Sequence, residues 1–306
     1  MSLPQADTMT NEHAPSERSG QEATLPPSRS YWSSVWLRMR RDPVAIAALS
    51  VLSLIVLAAV FAPFVAPHDP YATSMIDRLK PVGTDGYLLG TDNLGRDMLS
   101  RLIYGARMSL LMGVMPVINA LIIGGAIGIV AGYTGGLTNT ILMRITDVFY
   151  AFPSVLLAIA LAGALGAGLT NALISLTLVF IPPIARVAES VTTQVRTFDY
   201  VEAARASGAG SWDIIRVHIL SNVLGPVFVY ATSLISVCII LASGLSFLGL
   251  GVEPPQAEWG LMLNSLREAI YAEPLITILP GAAIFITSIC FNLMSDGLRS
   301  AMDIRM

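Results

Sequence analysis

Six apolar stretches of about 20 residues or more run along this chain, at 44–65, 109–133, 141–165, 172–191, 226–250 and 275–294. A hydrocarbon core about 30 Å thick takes roughly 20 helical residues to cross, and inside lipid only helices or closed barrels satisfy their own backbone polar groups. Four of the stretches carry no charged residue, and the other two carry one arginine and one acid each. With 54% hydrophobic and only 13% charged residues, a chain of 306 residues has too little charge to cover a water-soluble globule. The predicted fold class is therefore an all-α integral membrane protein with six transmembrane helices within residues 43–306. The first stretch is a span and not a signal peptide, because it starts far from Met1 and ends in Ala62-Pro63-Phe64, not at a small-residue cleavage site.

Residues 1–42 read as a tail. The first thirty are rich in Ser, Pro, Glu, Gln and Thr and bury too little to offset the entropy of ordering, so disorder is expected, followed by a basic flank of Arg38, Arg40 and Arg41. Six crossings put both termini on one side. Twelve of the eighteen basic residues then fall on that side and six on the other, so the positive-inside rule predicts cytoplasmic termini.

Two connections are too long to be turns. In the outer one, 66–107, Leu94, Met98 and Leu102 form an apolar stripe opposite Arg96, Asp97 and Arg101, which reads as an amphipathic helix at the membrane surface or a gating element over a pathway. Asp92 and Asp97 lack the alternating oxygen ligands of a calcium loop. In the inner one, 192–224, Asp199 and Glu202 have capping-box spacing for a short helix ending at Ala206. The glycines of Ser207-Gly208-Ala209-Gly210 break that helix. Ser211 is placed to cap a second short helix, with Asp213 in its first turn. Two short helices on a glycine turn make a protrusion shaped to fit something.

Other features have local readings. Gly124, Gly128, Gly132 and Gly136 form a ladder that suits close helix packing or a hinge. Arg144 with Asp147, and Arg186 with Glu189, are three apart and can pair on their own helices. Asn171 and Asn292 either line a path or cross-link helices, and His218 is a lone histidine with many uses. Cys238 and Cys290 lie in apolar runs and suggest neither disulfide nor metal.

Glu202-Ala203-Ala204, then Gly208, then Ile219-Leu220, placed before the fifth of six spans, resemble the EAA loop of bacterial ABC-importer membrane subunits. Arg41-Asp42-Pro43, Leu89-Gly90-Thr91-Asp92, Leu94-Gly95-Arg96-Asp97, Ala151-Phe152-Pro153, Ser246-Phe247-Leu248-Gly249-Leu250-Gly251 and Trp259-Gly260 resemble the second permease subunit of the peptide, opine and nickel group. The resemblance implies a type I ABC importer permease fold in the bacterial inner membrane, surrounded by lipid. It implies a homologous permease, two ATP-binding subunits and an extracytoplasmic solute-binding protein as partners, and peptides or related small solutes as cargo. It assigns ATPase coupling to Asp199, Glu202, Ala203, Ala204, Gly208, Ser211, Asp213 and Ile219. Ser221 departs from the proline usual after the Ile-Leu pair, which predicts a less rigid loop exit.

Several classes are excluded. The one lysine, Lys80, precedes Pro81 and follows no phosphate-binding glycine pattern, so this chain is no ATPase and no enzyme, and ATP and Mg belong to partner subunits. An ion-driven carrier would favour unpaired midplane acids and inverted repeats, and an intramembrane enzyme a catalytic constellation in the spans. Neither is seen. A net charge of -3 offers nucleic acid no basic footprint.

Overall fold

The computed structural model describes residues 31–302, and the expected disorder of residues 1–30 lies outside them. The elements are α1 (Tyr31–Met39), α2 (Pro43–Val60), α3 (Ala62–Val65), α4 (Met98–Thr134), α5 (Gly136–Tyr150), α6 (Ser154–Leu165), α7 (Leu169–Val195), α8 (Asp199–Ala206), α9 (Ser211–Asp213), α10 (Leu220–Phe247), α11 (Trp259–Ser265) and α12 (Pro274–Met302). A π-helical stretch, Ile214–Ile219, joins α9 to α10, so 211–247 is one rod. Within the basic flank, α1 is a short helix whose Val35 and Met39 pack against Ala45 and Ala301. Asp42 caps α2 by accepting from the amides of Val44 (2.9 Å) and Ala45 (3.3 Å), with Pro43 at the first helical position, where its missing N–H costs nothing.

α4 and α7 pack along one face through glycines. A Cβ on Gly124 would lie 2.7 Å from the Ile181 carbonyl and one on Gly132 2.7 Å from that of Glu189, while one on Gly128 would strike the Ala185 carbonyl. The contacts rise together in both helices, so α4 and α7 run parallel, and residues 135–168 must carry the chain back across. They do so as a broken span, because α5 and α6 meet at 88°. Pro153 forces the break: it has no N–H for a continuing helix and disfavours helical backbone at Phe152. The 12 residues of α6 span about 18 Å, too short to cross alone. The third span, read from hydropathy at 141–165, is thus a bent pair of helices. Gly136, beyond the Gly135 break, meets nothing within 4 Å, so the ladder ends at Gly132.

The 66–107 segment holds a buried charge cluster. Asp92 accepts from Arg96 Nε at 2.6 Å and from the amides of Leu94 (2.8 Å) and Arg96 (3.0 Å), and lies 3.4 Å from Arg101 Nε. Arg101 also donates to the Pro70 carbonyl at 3.0 Å. Asp97 caps α4 through the Ser100 amide (2.8 Å) and hydroxyl (2.6 Å). Nearby, Lys80 and the Ser74 hydroxyl hold the Asp77 carboxyl below its usual range. The expected surface helix over Leu94–Ile103 is not formed. Its C-terminal half is instead the first turns of α4, where Met98 and Leu102 pack against Trp259 and Met262. Glu258 fastens that contact by capping α11 through the amides of Gly260 (2.9 Å) and Leu261 (2.8 Å) while accepting from Ser109 of α4 at 3.0 Å.

Polar side chains in and beside the spans find partners. Ser295 shares a hydrogen bond with Thr232 at 3.0 Å, tying α12 to α10. Asn171 donates to the carbonyls of Leu165 (2.9 Å) and Gly166 (3.2 Å), closing the end of α6. Cys238 and Cys290 are buried and unbridged.

Candidate coupling surface

The 192–224 segment grows out of two spans. α7 ends at Val195, and Arg196 donates to the Tyr133 carbonyl at 3.1 Å, satisfying one of the free carbonyls at the end of α4. α8 follows after a short turn. Phe198, not Asp199, is its N-cap, and no side chain caps it. The helix begins one residue earlier than a capping box at Asp199 requires, which leaves Asp199 and Glu202 as exposed acids in the first turn, where they favour the helix dipole.

One side of α8 is anchored and the other is free. Val201 is fully buried and Ala204 half-buried in the main core, while Glu202, Ala203, Arg205 and Ala206 are exposed. The helix closes in a Schellman motif. The Gly208 amide donates to Arg205 O (3.0 Å) and the Ala209 amide to Ala204 O (3.1 Å), with Gly208 at φ +85°. A Cβ at Gly208 would meet nothing within 4 Å, so the need for glycine there is conformational and not steric.

The second short helix expected from Ser211 is instead the first turn of the long rod, with Gly210 as N-cap and Ser211 and Asp213 exposed in that turn. The π stretch explains how the rod stays seated. Ile214 and Ile219 are both buried, yet five residues of α-helix would turn them about 140° apart. The i→i+5 pattern of the π-helix returns both to one face. Phe198, Tyr200 and His218 pack in sequence as tilted rings at centroid separations of 5.7 and 5.9 Å, bracing α8 against this stretch. Ser221 continues the helix and donates to the Val217 carbonyl at 2.8 Å, so the exit is an unbroken rod. Trp212, 72% exposed, had no reading in the sequence, and a large aromatic beside a glycine cap was the signal available.

The structure thus brings Asp199, Glu202, Ala203, Gly208, Ser211 and Asp213 onto one exposed segment, with Ala204 half-buried and Ile219 buried as its footing. Among the described residues none of its acids or arginines is ion-paired within the chain.

Residues 124–306, from the glycine face through this segment to the end, match the family described as the binding-protein-dependent transport system inner membrane component. The chain belongs to that family. Residues 30–81 match the N-terminal transmembrane domain of oligopeptide transport permease C. The permease is 40% identical over 275 residues to the glutathione transport system permease protein GsiD of Pectobacterium atrosepticum, covering 90% of this chain and 91% of that one. It is 41% identical to the di/tripeptide transport system permease protein DppC of Pseudomonas aeruginosa over 90% of this chain and 92% of the relative. Against the dipeptide permease DppC of Alkalihalophilus pseudofirmus the identity is 37% over 97% and 99% of the two chains. An inward-facing structure of the MetNI methionine ABC transporter shares the fold, with a TM-score of 0.55 and 20% identity over 67% of the permease and 97% of the matched chain. The fold is that of type I ABC importer permeases. This permease is a multi-pass inner-membrane subunit and not an enzyme.

Proposed function

We propose that this permease pairs with a homologous permease and two ATP-binding subunits to import short peptides delivered by an extracytoplasmic binding protein, within a lipid bilayer. The solute class follows the relatives, whose names specify glutathione, dipeptides and di/tripeptides. ATP and Mg are used on the partner subunits. The termini and residues 192–224 face the cytoplasm, and residues 66–107 face outside.

The observation that carries this reading is α8 itself. It is a short helix with a free charged face, and Val201 and Ala204 seat it in the core that α7 and α10 share. A push on its exposed side passes into two spans at once. ATP-driven closure of the ATPases moves α8 and the spans swing between inward and outward openings, the contact at α8 supplying the difference in free energy between the states.

Two experiments test the proposal. Gly208→Val strains a backbone at φ +85°, at a cost of about 1–3 kcal/mol, and Glu202→Ala removes a charged acceptor. In the complete reconstituted complex both should lower ATPase association, binding-protein-stimulated hydrolysis and uptake, with membrane insertion intact. Wild-type values in all three from both variants would remove α8 from coupling. For sidedness, both native cysteines are buried, so Ser211→Cys gives a clean single reporter. It should resist an impermeant maleimide added outside sealed cells and react once they are opened. Labelling from outside would reverse the orientation.

A further inference from the structure

One ion pair lies inside the spans. Arg186 Nη2 of α7 is 2.5 Å from Asp147 Oδ1 of α5. Arg186 sits nine residues, about 14 Å, inside the Val195 end of α7 and about 26 Å from its Leu169 end. The partners expected from local spacing, Arg144 for Asp147 and Glu189 for Arg186, are not used. Glu189 instead accepts from Asn139 at 2.6 Å. Ionisable side chains at membrane depth are costly and tend to mark pathways. This pair is also only half covered, with its side chains 47% and 39% exposed.

Arg186 stacks over the Tyr150 ring at 4.7 Å, and Tyr150 lines a cavity of about 270 Å³ at the α5–α6 break, with Ser154, Phe152, Pro183 and Tyr230. The hydroxyls of Tyr150, Ser154 and Tyr230 have no hydrogen-bond partner among the described residues. Tyr150 and Ser154 are exposed and Tyr230 is half-buried, so the cavity is lined by three hydroxyls that are not tied up within the chain and are able to bond a polar occupant. The volume is just under the roughly 300–1,000 Å³ of small-molecule sites, which fits part of a small solute.

We infer that the Asp147–Arg186 pair and the adjoining aromatic cavity form a solute subsite for the zwitterionic ends of a short peptide. The ammonium goes to Asp147, the carboxylate to Arg186, and a side chain or the peptide group to the hydroxyls of Tyr150, Ser154 and Tyr230. This deepens the peptide-importer reading and rests on it. Dipeptides, tripeptides and glutathione differ in length, linkage and side chains, but each carries an ammonium and a carboxylate, and a facing acid and base recognise those without reading the rest. With no solute present the two residues neutralise each other. A peptide exchanges that one pair for two charge-assisted contacts. A staple holding the broken span to α7 would show no preference between free and blocked peptide ends, which is what the test reads.

The test uses the complete permease and ATPase complex in nanodiscs, with the binding protein omitted so that its own preferences play no part. Dissociation constants for Ala-Ala, N-acetyl-Ala-Ala and Ala-Ala amide are measured by saturation-transfer NMR. Wild type should prefer Ala-Ala to both blocked forms. Asp147→Asn should abolish the preference over the acetylated form, weakening Ala-Ala about tenfold or more, while Arg186→Gln should abolish the preference over the amide. Tyr230→Phe, which removes only a hydroxyl, should weaken all three about fivefold. No detectable binding by wild type, equal binding of the three probes, or equal losses for all three in both charge variants would overturn the subsite. Peptide uptake by the wild-type complex with its binding protein is measured in parallel. Uptake without end-group preference sinks the subsite alone, and absence of peptide uptake sinks the importer reading beneath it.

Discussion

Replacing Asp92 by alanine is expected to strip most of the assembled protein from the membrane. The carboxylate is 1% exposed and is the counterion of two buried arginines, Arg96 (6% exposed) and Arg101 (2% exposed). Arg101 retains only the Pro70 carbonyl if Asp92 is lost. Removing one partner of a buried ion pair costs about 3–5 kcal/mol because the charge left behind is uncompensated. That is a large part of the roughly 5–15 kcal/mol that keeps a domain folded. Asp92 also accepts the amides of Leu94 and Arg96, so the turn into α4 loosens with it. The control is Asp85→Ala, an exposed acid in the same segment, expected to fall within about 0.5 kcal/mol of wild type. Both are read as the yield of monodisperse protein in detergent and its thermal midpoint. Equal yields and midpoints for the two variants would show that the cluster is not a keystone of the outer segment.

That cluster was visible in the sequence as a motif but not as a structure. The stripe of Leu94, Met98 and Leu102 has helical spacing, and periodicity says which residues share a face without saying what covers it. Tertiary packing does the rest: Met98 and Leu102 are covered by α11, and Asp97 starts the helix by capping it. The charges inside the spans show the same gap. Asp147 has an arginine three residues before it, and the local rule pairs them, yet its partner Arg186 is 39 residues away. α5 packs against α7, and that tertiary contact, which local spacing does not reveal, brings Asp147 to Arg186.

Where backbone chemistry alone decides, the reading carried further. Gly208 had to end α8, because a Schellman closure needs positive φ and glycine adopts it freely. The five unbroken spans stood out because lipid tolerates little but long apolar helices. The cap at Asp199 failed by one residue, within the fraying common at helix ends. The π stretch at Ile214–Ile219 leaves no simple trace, since two isoleucines five apart match neither face of an α-helix.

Gly125 and Gly128 are three residues apart on α4 and are expected to respond to substitution in opposite directions. A Cβ at Gly128 would lie 2.6 Å from the Ala188 Cβ and 2.8 Å from the Glu189 amide nitrogen, and would strike the Ala185 carbonyl. Two of those three atoms are backbone and cannot rotate away, so α4 and α7 must separate. Between membrane helices no hydrophobic effect compensates for lost contact, and close packing carries much of the association. Gly128→Leu should therefore cost at least the roughly 1–3 kcal/mol of an overpacked core, propagating to Gly124 and Gly132 on the same face. Gly125 is helical, and a Cβ there would meet nothing within 4 Å. Gly125→Ala should be neutral or gain up to about 1 kcal/mol from helix propensity. Thermal midpoints of the purified permease pair measure both. A midpoint for Gly128→Leu at or above that of Gly125→Ala would mean that α4 and α7 do not meet in this register, and the parallel arrangement that requires 135–168 to recross the membrane would fall with it.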